Sequence, residues 1–376
     1  MNLLIISNYQ FYGNLSGSFV HNQAKAFVQM GHEVHMLVPI AFGRKSHFGK
    51  MELVPRTERI DGVEIYFLPY LSLSNFGQGG FNHASAQFFA HLYRIEKKFA
   101  PDVILAHAIT GSCQLGIKLK EQLHRPLIVI THGSDVCIPY EQGTITRLRP
   151  TCDQVDLLVA VSSALANKLQ ASGTQTPIRV VLNGFQVQNI TPSLNKPPLS
   201  LIQAGYLVER KKADITIQAF AELNKKYPNA TLDIVGSGSE LIRFQTLCKE
   251  LGISKAVHFH GFLSNAETLS KMASARFFVM PSVNEGFGIV YLEAMASGCI
   301  TIGTEGEGIA DLIISGENGF LVPANDPEAI AQVVEWCLDH PKEAAVIAKQ
   351  GQADAMGLTW EKNAAQYIKL FEELIS

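Results

Sequence analysis

No stretch of this chain reaches the 18 or more apolar residues that a membrane-spanning helix requires. Its six cysteines (Cys113, Cys137, Cys152, Cys248, Cys299 and Cys337) contain no close pair of the kind that ligates zinc or shuttles disulfides, so they read as reduced core or surface thiols. The loop after the first apolar run lacks Gly-x-Gly-x-x-Gly, which ranks a Rossmann dehydrogenase last among enzyme classes. Met1 to Ser7 is apolar but has no basic leader and no small-residue cleavage site, and Asn8 interrupts it; the expectation is a cytoplasmic protein. Charged residues make up only 17% against 47% apolar, which excludes a disordered chain.

What is present is material for two cores, because 376 residues exceed the size at which one hydrophobic core usually stops growing. The net charge of −3 is unevenly divided: residues 1–190 hold 16 of the 31 basic and 12 of the 34 acidic side chains, so they carry +4 and the remainder −7. Short aliphatic runs alternate with helical patterns throughout, which predicts an α/β protein with parallel sheets covered by helices. Strands are expected at Leu3 to Ser7, Val34 to Pro39, Val63 to Leu68, Val103 to Ala106, Leu127 to Thr131, Leu157 to Ser162 and Arg179 to Leu182. The proline-rich segment 191–198 suits a linker, giving domains at 1–190 and 199–359. In the second domain strands are expected at Leu199 to Ala204, Thr231 to Val235, Val257 to His260, Phe277 to Met280, Cys299 to Gly303 and Gly319 to Val322. The tail, 360–376, forms an amphipathic helix expected to pack back on the first domain.

The densest chemistry lies between Pro281 and Gly298. Gly286 and Gly288 permit close backbone approach, and a helix starting near Ile289 would present unpaired amides and a positive dipole end, an anion site fitted to a diphosphate. Glu293, about one turn into that helix, is placed to accept from a ribose diol, and Glu285 to meet a second polyol on the other side of the phosphates. Gly205 opens a second segment, in which Arg210 and Lys211 form a basic pair suited to neutralising a departing diphosphate. In the first half, His132 and Asp135 end a strand, where parallel sheets place their ligand loops. Val235 to Ser239 looks phosphate-like but lacks the full fingerprint and reads as a turn.

Glu285-Gly-Phe-Gly followed by Glu293-Ala-Met-Ala-Ser-Gly, with Gly316 to Val322 further on, resembles the retaining glycosyltransferases of family 4. That resemblance implies the GT-B fold of two facing Rossmann-like domains with an interdomain cleft. It implies that Glu285 contacts the donor sugar and Glu293 the ribose, with Gly286, Phe287, Gly288 and Ile289 approaching sugar and phosphates. Lys211 matches the family lysine; Tyr206 stands where an arginine is usual and Lys212 where glycine is, so Arg210 is the candidate second cation. His132 resembles the family histidine facing the donor sugar, able there to donate or to accept, with Asp135 orienting it or capping the next turn. Gly17 and Ser18 resemble the glycine loop beneath the phosphates, without its usual paired glycines.

The expected activity is transfer of a sugar from a nucleoside diphosphate sugar, UDP favoured as common in the family, to an acceptor hydroxyl. The sugar is of hexosyl or N-acetylhexosaminyl type, and the anomeric configuration is retained. No cofactor is expected and no metal, since Arg210, Lys211 and the helix amides do a cation's work and these segments hold no Asp-x-Asp. A sugar-nucleotide 2-epimerase of the same fold and a non-catalytic nucleotide-sugar-binding protein are the alternatives. THGSDV and GEGIADLI resemble bacterial enzymes that assemble polysaccharides on lipid carriers. The expected partners are therefore a glycan or lipid-linked acceptor and an anionic membrane surface at the inner face, met by the basic span Phe42 to Ile60, with no nucleic acid.

Overall fold

The computed structural model describes residues 1–7, 18–42, 56–71, 99–186, 193 and 196–376. Gly17 lies outside them, as does most of the basic span, residues 43–55. The chain divides into two compact units, Met1–Gly184 with Trp360–Ser376, and Phe185–Thr359. The boundary falls before the expected 190, because Phe185 N donates to Leu358 O and Phe185 pairs with Thr359, which draws the segment into the second unit. Among the described residues no helix is long and apolar enough to cross a membrane.

The first unit is built from β1 (Asn2–Ile6), α1 (Ser18–Gln29), β2 (Glu33–Phe42), β3 (Arg56–Ile60), β4 (Val63–Leu71), β5 (Val103–His107), α2 (Gly111–Leu123), β6 (Leu127–Thr131), α3 (Ser134–Glu141), α4 (Arg149–Cys152), β7 (Leu157–Ala160), α5 (Ser163–Gln170) and β8 (Ile178–Val180). Strand order is β3-β4-β2-β1-β5-β6-β7-β8. β1, β5, β6 and β7 each hold a four-residue apolar run, as strands covered on both faces do. The order reverses between β1 and β5, the switch point at which doubly wound sheets bind ligands beyond their carboxyl ends.

β3 corrects the expectation of wholly parallel sheets: it pairs antiparallel with β4 at the sheet's edge. Its side chains alternate between exposed and half-buried, so it has no apolar signature. Its signal is the turn, Asp61 at φ 50° and Gly62 at φ 84°, an Asp-Gly pair that suits a two-residue hairpin.

The second unit comprises β9 (Ser200–Ala204), α6 (Ala213–Lys226), β10 (Thr231–Val235), α7 (Leu241–Glu250), β11 (Val257–Gly261), α8 (Asn265–Ser274), β12 (Phe277–Val279), α9 (Ile289–Ala296), β13 (Ile300–Thr304), β14 (Phe320–Val322), α10 (Pro327–Asp339) and α11 (Pro341–Met356). Its parallel strands run β11-β10-β9-β12-β13-β14, and the order reverses between β9 and β12. Leu201, Leu232, Phe277 and Ile302 from four of these strands pack with Phe220 and Ile330 from helices in one buried cluster. Lys196, in the expected linker, donates to the carbonyls of Ser297 and Gly298 and so caps the C-terminal end of α9.

The last helix, α12 (Trp360–Ile375), belongs to the first unit. Its buried stripe of Trp360, Ala364, Tyr367, Ile368 and Phe371 has helical spacing, and Tyr367 and Phe371 meet Phe27 of α1. Asn363 satisfies both of its polar groups there, accepting from Gln23 at 2.7 Å and donating to Leu182 O at 2.7 Å. All six cysteines are free and buried.

Lys212 sits at φ 51° between the Glu209–Lys211 turn and α6, a left-handed conformation that disfavours a side chain. This explains the glycine usual at this place in the family. Lys212→Gly is expected to raise stability modestly, by about 0.5–1 kcal/mol, the relief of left-handed strain exceeding glycine's extra backbone entropy. A Tm equal to or below the parent's in calorimetry would contradict this.

Candidate functional site

The segments that follow β9 and β12 meet at the switch point of the second sheet. After β9 the chain turns at Gly205, φ 147°, and runs to the Glu209–Lys211 turn. The Gly236 and Gly238 positions make this path possible. A Cβ on Gly236 would lie 1.9 Å from Gly205 O, and one on Gly238 would lie 2.2 Å from Leu207 O. The phosphate-like Val235 to Ser239 run is therefore a turn that packs against the Gly205 loop, with Leu207 N donating to Ser237 O.

After β12, Val283 N donates to Arg210 O and ties the two segments together. Glu285 then accepts from Lys211 Nζ at 2.5 Å and from Arg210 at 3.3 Å. Lys211 is buried, its ammonium also 3.9 Å from Met280 Sδ, whereas Arg210 is exposed. Burial alone would raise the Glu285 carboxyl, but the Lys211 and Arg210 charges outweigh it and hold the group below its ordinary range. Glu285 is thus no helix cap: the cap position of α9 is Gly288, at φ 83°. Tyr206, in the family's arginine position, is exposed, and Arg210 is the second cation beside Glu285.

α9 begins at Ile289, where the expected anion site requires its free amides. Phe287 is buried in the core, so any contact it makes with an anion runs through its backbone. Tyr291 lies under the loop: a Cβ on Gly288 would meet its ring at 2.7 Å, and its hydroxyl donates to Met280 O and bonds Ser282. Burial raises the Tyr291 hydroxyl far above its usual range. Glu293, one turn along, accepts from Asn265 Nδ2 at 2.8 Å. Burial raises its carboxyl, partly offset by that bond. Asn265 opens α8 behind a capping box formed by Ser264 and Glu267, which fixes it toward Glu293.

Two members of this site escaped the sequence reading. Asn265 carried no signal beyond the capping box preceding it. Glu307, in the Gly306-Glu-Gly308 run, accepts the amide of Asn284 at 2.9 Å and that of Glu285 at 3.1 Å through its two oxygens. It thereby holds Asn284 at φ 54° and fixes the backbone from which Glu285 projects. Among the described residues no group of three or more His, Cys, Asp or Glu is arranged to hold a metal.

In the first unit, His132 follows β6 directly and lies against Phe19 of α1, ring centroids 4.7 Å apart. Its ring bonds His107, the last residue of β5. Asp135 does not orient that ring: Oδ1 accepts the amides of His132 and Gly133, and Oδ2 accepts that of Ile109. It ties the ends of β5 and β6 together. Burial raises the Asp135 carboxyl, partly offset by those amides. Ser18 is the first residue of α1.

Two family models meet end to end along the chain, Glycosyltransferase Family 4 over residues 16–189 and Glycosyl transferases group 1 over residues 188–354. The chain is 26% identical to a putative colanic acid biosynthesis glycosyltransferase, WcaL of Salmonella typhimurium, over 96% of this chain and 97% of that one. Sucrose-phosphate synthase of Thermosynechococcus elongatus superposes with a TM-score of 0.80 at 20% identity, covering 99% of this chain and 98% of that one. Anabaena HepE, solved with UDP and glucose, gives 0.76 at 19% identity with full coverage of both. With its two Rossmann-like sheets and the Glu285–Glu293 segment at the switch point of the second, this chain belongs to glycosyltransferase family 4 and has the GT-B fold.

Proposed function

We propose that this glycosyltransferase moves a hexosyl or N-acetylhexosaminyl group from a UDP-sugar to an acceptor hydroxyl with retention of configuration, in assembly of a cell-surface polysaccharide or glycolipid. The observation that carries the donor reading is the meeting of Lys211, Arg210 and Glu285 beside the free amides of α9. A diphosphate there is held by two cations and a helix N-terminus, and the leaving group's growing charge is stabilised where it develops. Glu285 positions the sugar, and Glu293 with Asn265 receives the ribose. The UDP preference draws on HepE, whose structure contains UDP and glucose, and the polysaccharide setting on the WcaL relative. Arg210, Lys211 and the amides supply the charge a metal would bring; turnover abolished by EDTA and restored by Mg2+ or Mn2+ would reject that.

A thermal-shift panel of UDP-, GDP-, ADP- and dTDP-sugars, followed by transfer assays with the best binder, tests the donor. A preference for GDP would overturn the UDP assignment, and epimerised product without acceptor would favour the 2-epimerase. Glu293→Ala is expected to weaken free UDP by about tenfold or more, the loss of a charge-assisted hydrogen bond. Glu285→Ala should leave free UDP within about threefold and lower turnover instead. Equal losses of UDP affinity would contradict this division.

Binding at an anionic membrane is proposed from the basic first half and the span Phe42 to Ile60, five Lys/Arg against two Glu. Absence of co-sedimentation with anionic liposomes at low salt would remove it.

A further inference from the structure

We propose that Gln203 is a positioning residue for Lys211: by donating its side-chain amide to the Lys211 carbonyl it locks the turn that brings the Lys211 ammonium, and not that of Lys212, to Glu285. The kinetic consequence rests on the reading of Lys211 as the cation at the leaving diphosphate; the placement of the ammonium does not.

Gln203 is the fourth residue of β9, 2% exposed, beside the aliphatic Leu201, Ile202 and Ala204. A buried amide costs free energy unless it is hydrogen-bonded, and this one is satisfied at one end. Nε2 donates to Lys211 O at 2.8 Å, while Oε1 is buried with no hydrogen-bond partner among the described residues. Chemistry fixes the orientation: a carbonyl only accepts, so the NH2 end must face Lys211. Nor is the contact a helix cap. The groups left over at the start of α6 are N–H groups, and Gln203 meets a carbonyl ahead of them. A half-satisfied polar side chain among aliphatic neighbours is a cost to the fold, and the position of Lys211 is what it secures.

The bonds around the turn show why that carbonyl matters. Backbone amides take its neighbours: Lys211 N donates to Val208 O, Lys212 N to Glu209 O, Val283 N to Arg210 O and Ile215 N to Lys212 O. The Lys211 carbonyl is taken by a side chain instead. It belongs to the peptide that leads into Lys212, held at φ 51°, so its direction decides how the chain leaves the turn. The Lys211 stem lies over Gly205, where a Cβ would stand 3.8 Å from Cε, and the ammonium reaches Glu285 at 2.5 Å. Without the Gln203 donor a buried carbonyl is left unpaired. The least costly remedy is rotation of that peptide toward solvent, which carries the root of the Lys211 side chain with it.

The test is Gln203→Met on the full chain, close in shape and unable to donate. The variant is expected to lower kcat by about 10–10²-fold and to bind free UDP within about threefold of wild type, because Lys211 acts on charge that develops as the diphosphate leaves. Its Tm should stay within about 4 °C, since one buried unpaired acceptor replaces another. In the Lys211→Met background Gln203→Met should change kcat by less than about threefold. An undiminished loss there shows that Gln203 does not act through Lys211 and overturns the proposal. Gln203→His, whose Nε2–H can donate from the same place, should restore most of the turnover; equal losses in the Met and His variants overturn the proposal too. A readout independent of activity is the 13C carboxyl titration of Glu285, its resonance identified by its loss in Glu285→Gln. In wild type burial would raise that carboxyl, but the Lys211 and Arg210 charges hold it below its ordinary range; in Gln203→Met it should titrate at higher pH. If it does not move, the ammonium has kept its place and the proposal is overturned. If it moves but no sugar is transferred from any donor by the wild type, the activity reading fails and the placement stands.

Discussion

Lys211→Met is expected to lower kcat by about 10²–10³-fold while weakening UDP far less, because the ammonium acts on charge that develops as the diphosphate leaves. Its position supports this: it is buried and paired with Glu285, so a phosphate beside it would lie in a partly desolvated setting where charge is weakly screened. Arg210, exposed, should contribute less when changed to Gln. The Lys211 variant also leaves Glu285 with one cation. Since the folded Glu285 carboxyl is held below its ordinary range, it contributes stability above the unfolded value of about 4.3, lost as pH falls through the folded value. The Tm gap between wild type and Lys211→Met should therefore be larger at pH 7 than at pH 3. Loss of UDP affinity equal to the loss of turnover would show that Lys211 holds ground and transition states alike. A Tm gap that widened toward pH 3 would contradict the Glu285 assignment.

Gly308→Ala is expected to cost about 10²-fold in kcat/KM, although residue 308 projects no side chain into the site. Its Cβ would lie 2.1 Å from Gly286 O and 2.9 Å from Phe287 Cα, backbone atoms that cannot step aside independently. The displaced strip carries the amides of the proposed anion site and the backbone of Glu285, which Glu307 holds from the same turn. Overpacking of this kind also costs about 1–3 kcal/mol of stability. Gly306→Ala is the control: its φ of +71° strains a side chain, but nothing lies within 4 Å. It should lose about 1 kcal/mol of stability and keep its kcat/KM. Equal kinetic loss in the two variants would show that strain in the turn, and not displacement of the Gly286 loop, is responsible.

Most elements were legible from the chain alone because each carries its period locally. β5, β6 and β9 are buried along their whole length and mostly aliphatic, and α12 repeats its buried residues at helical spacing. β3 escaped because an exposed edge strand buries nothing and writes no pattern, though its Asp-Gly turn was readable. The pairing of Lys211 with Glu285, 74 positions apart, was approached through two motifs, but their contact depends on β9 and β12 being neighbours in the sheet.

By itself the sequence determined the α/β architecture and the glycine loop leading into α9, since these depend on period and on residue type. Tertiary structure decided the rest. Glu307 holds the Glu285 loop from a turn beyond β13, Asn265 reaches Glu293 from another helix, and His107 rather than Asp135 faces the His132 ring. The physical reason is common to all three. A hydrogen bond is a matter of ångströms and direction, and residues distant in the chain come within that range only through the order in which the strands lie side by side.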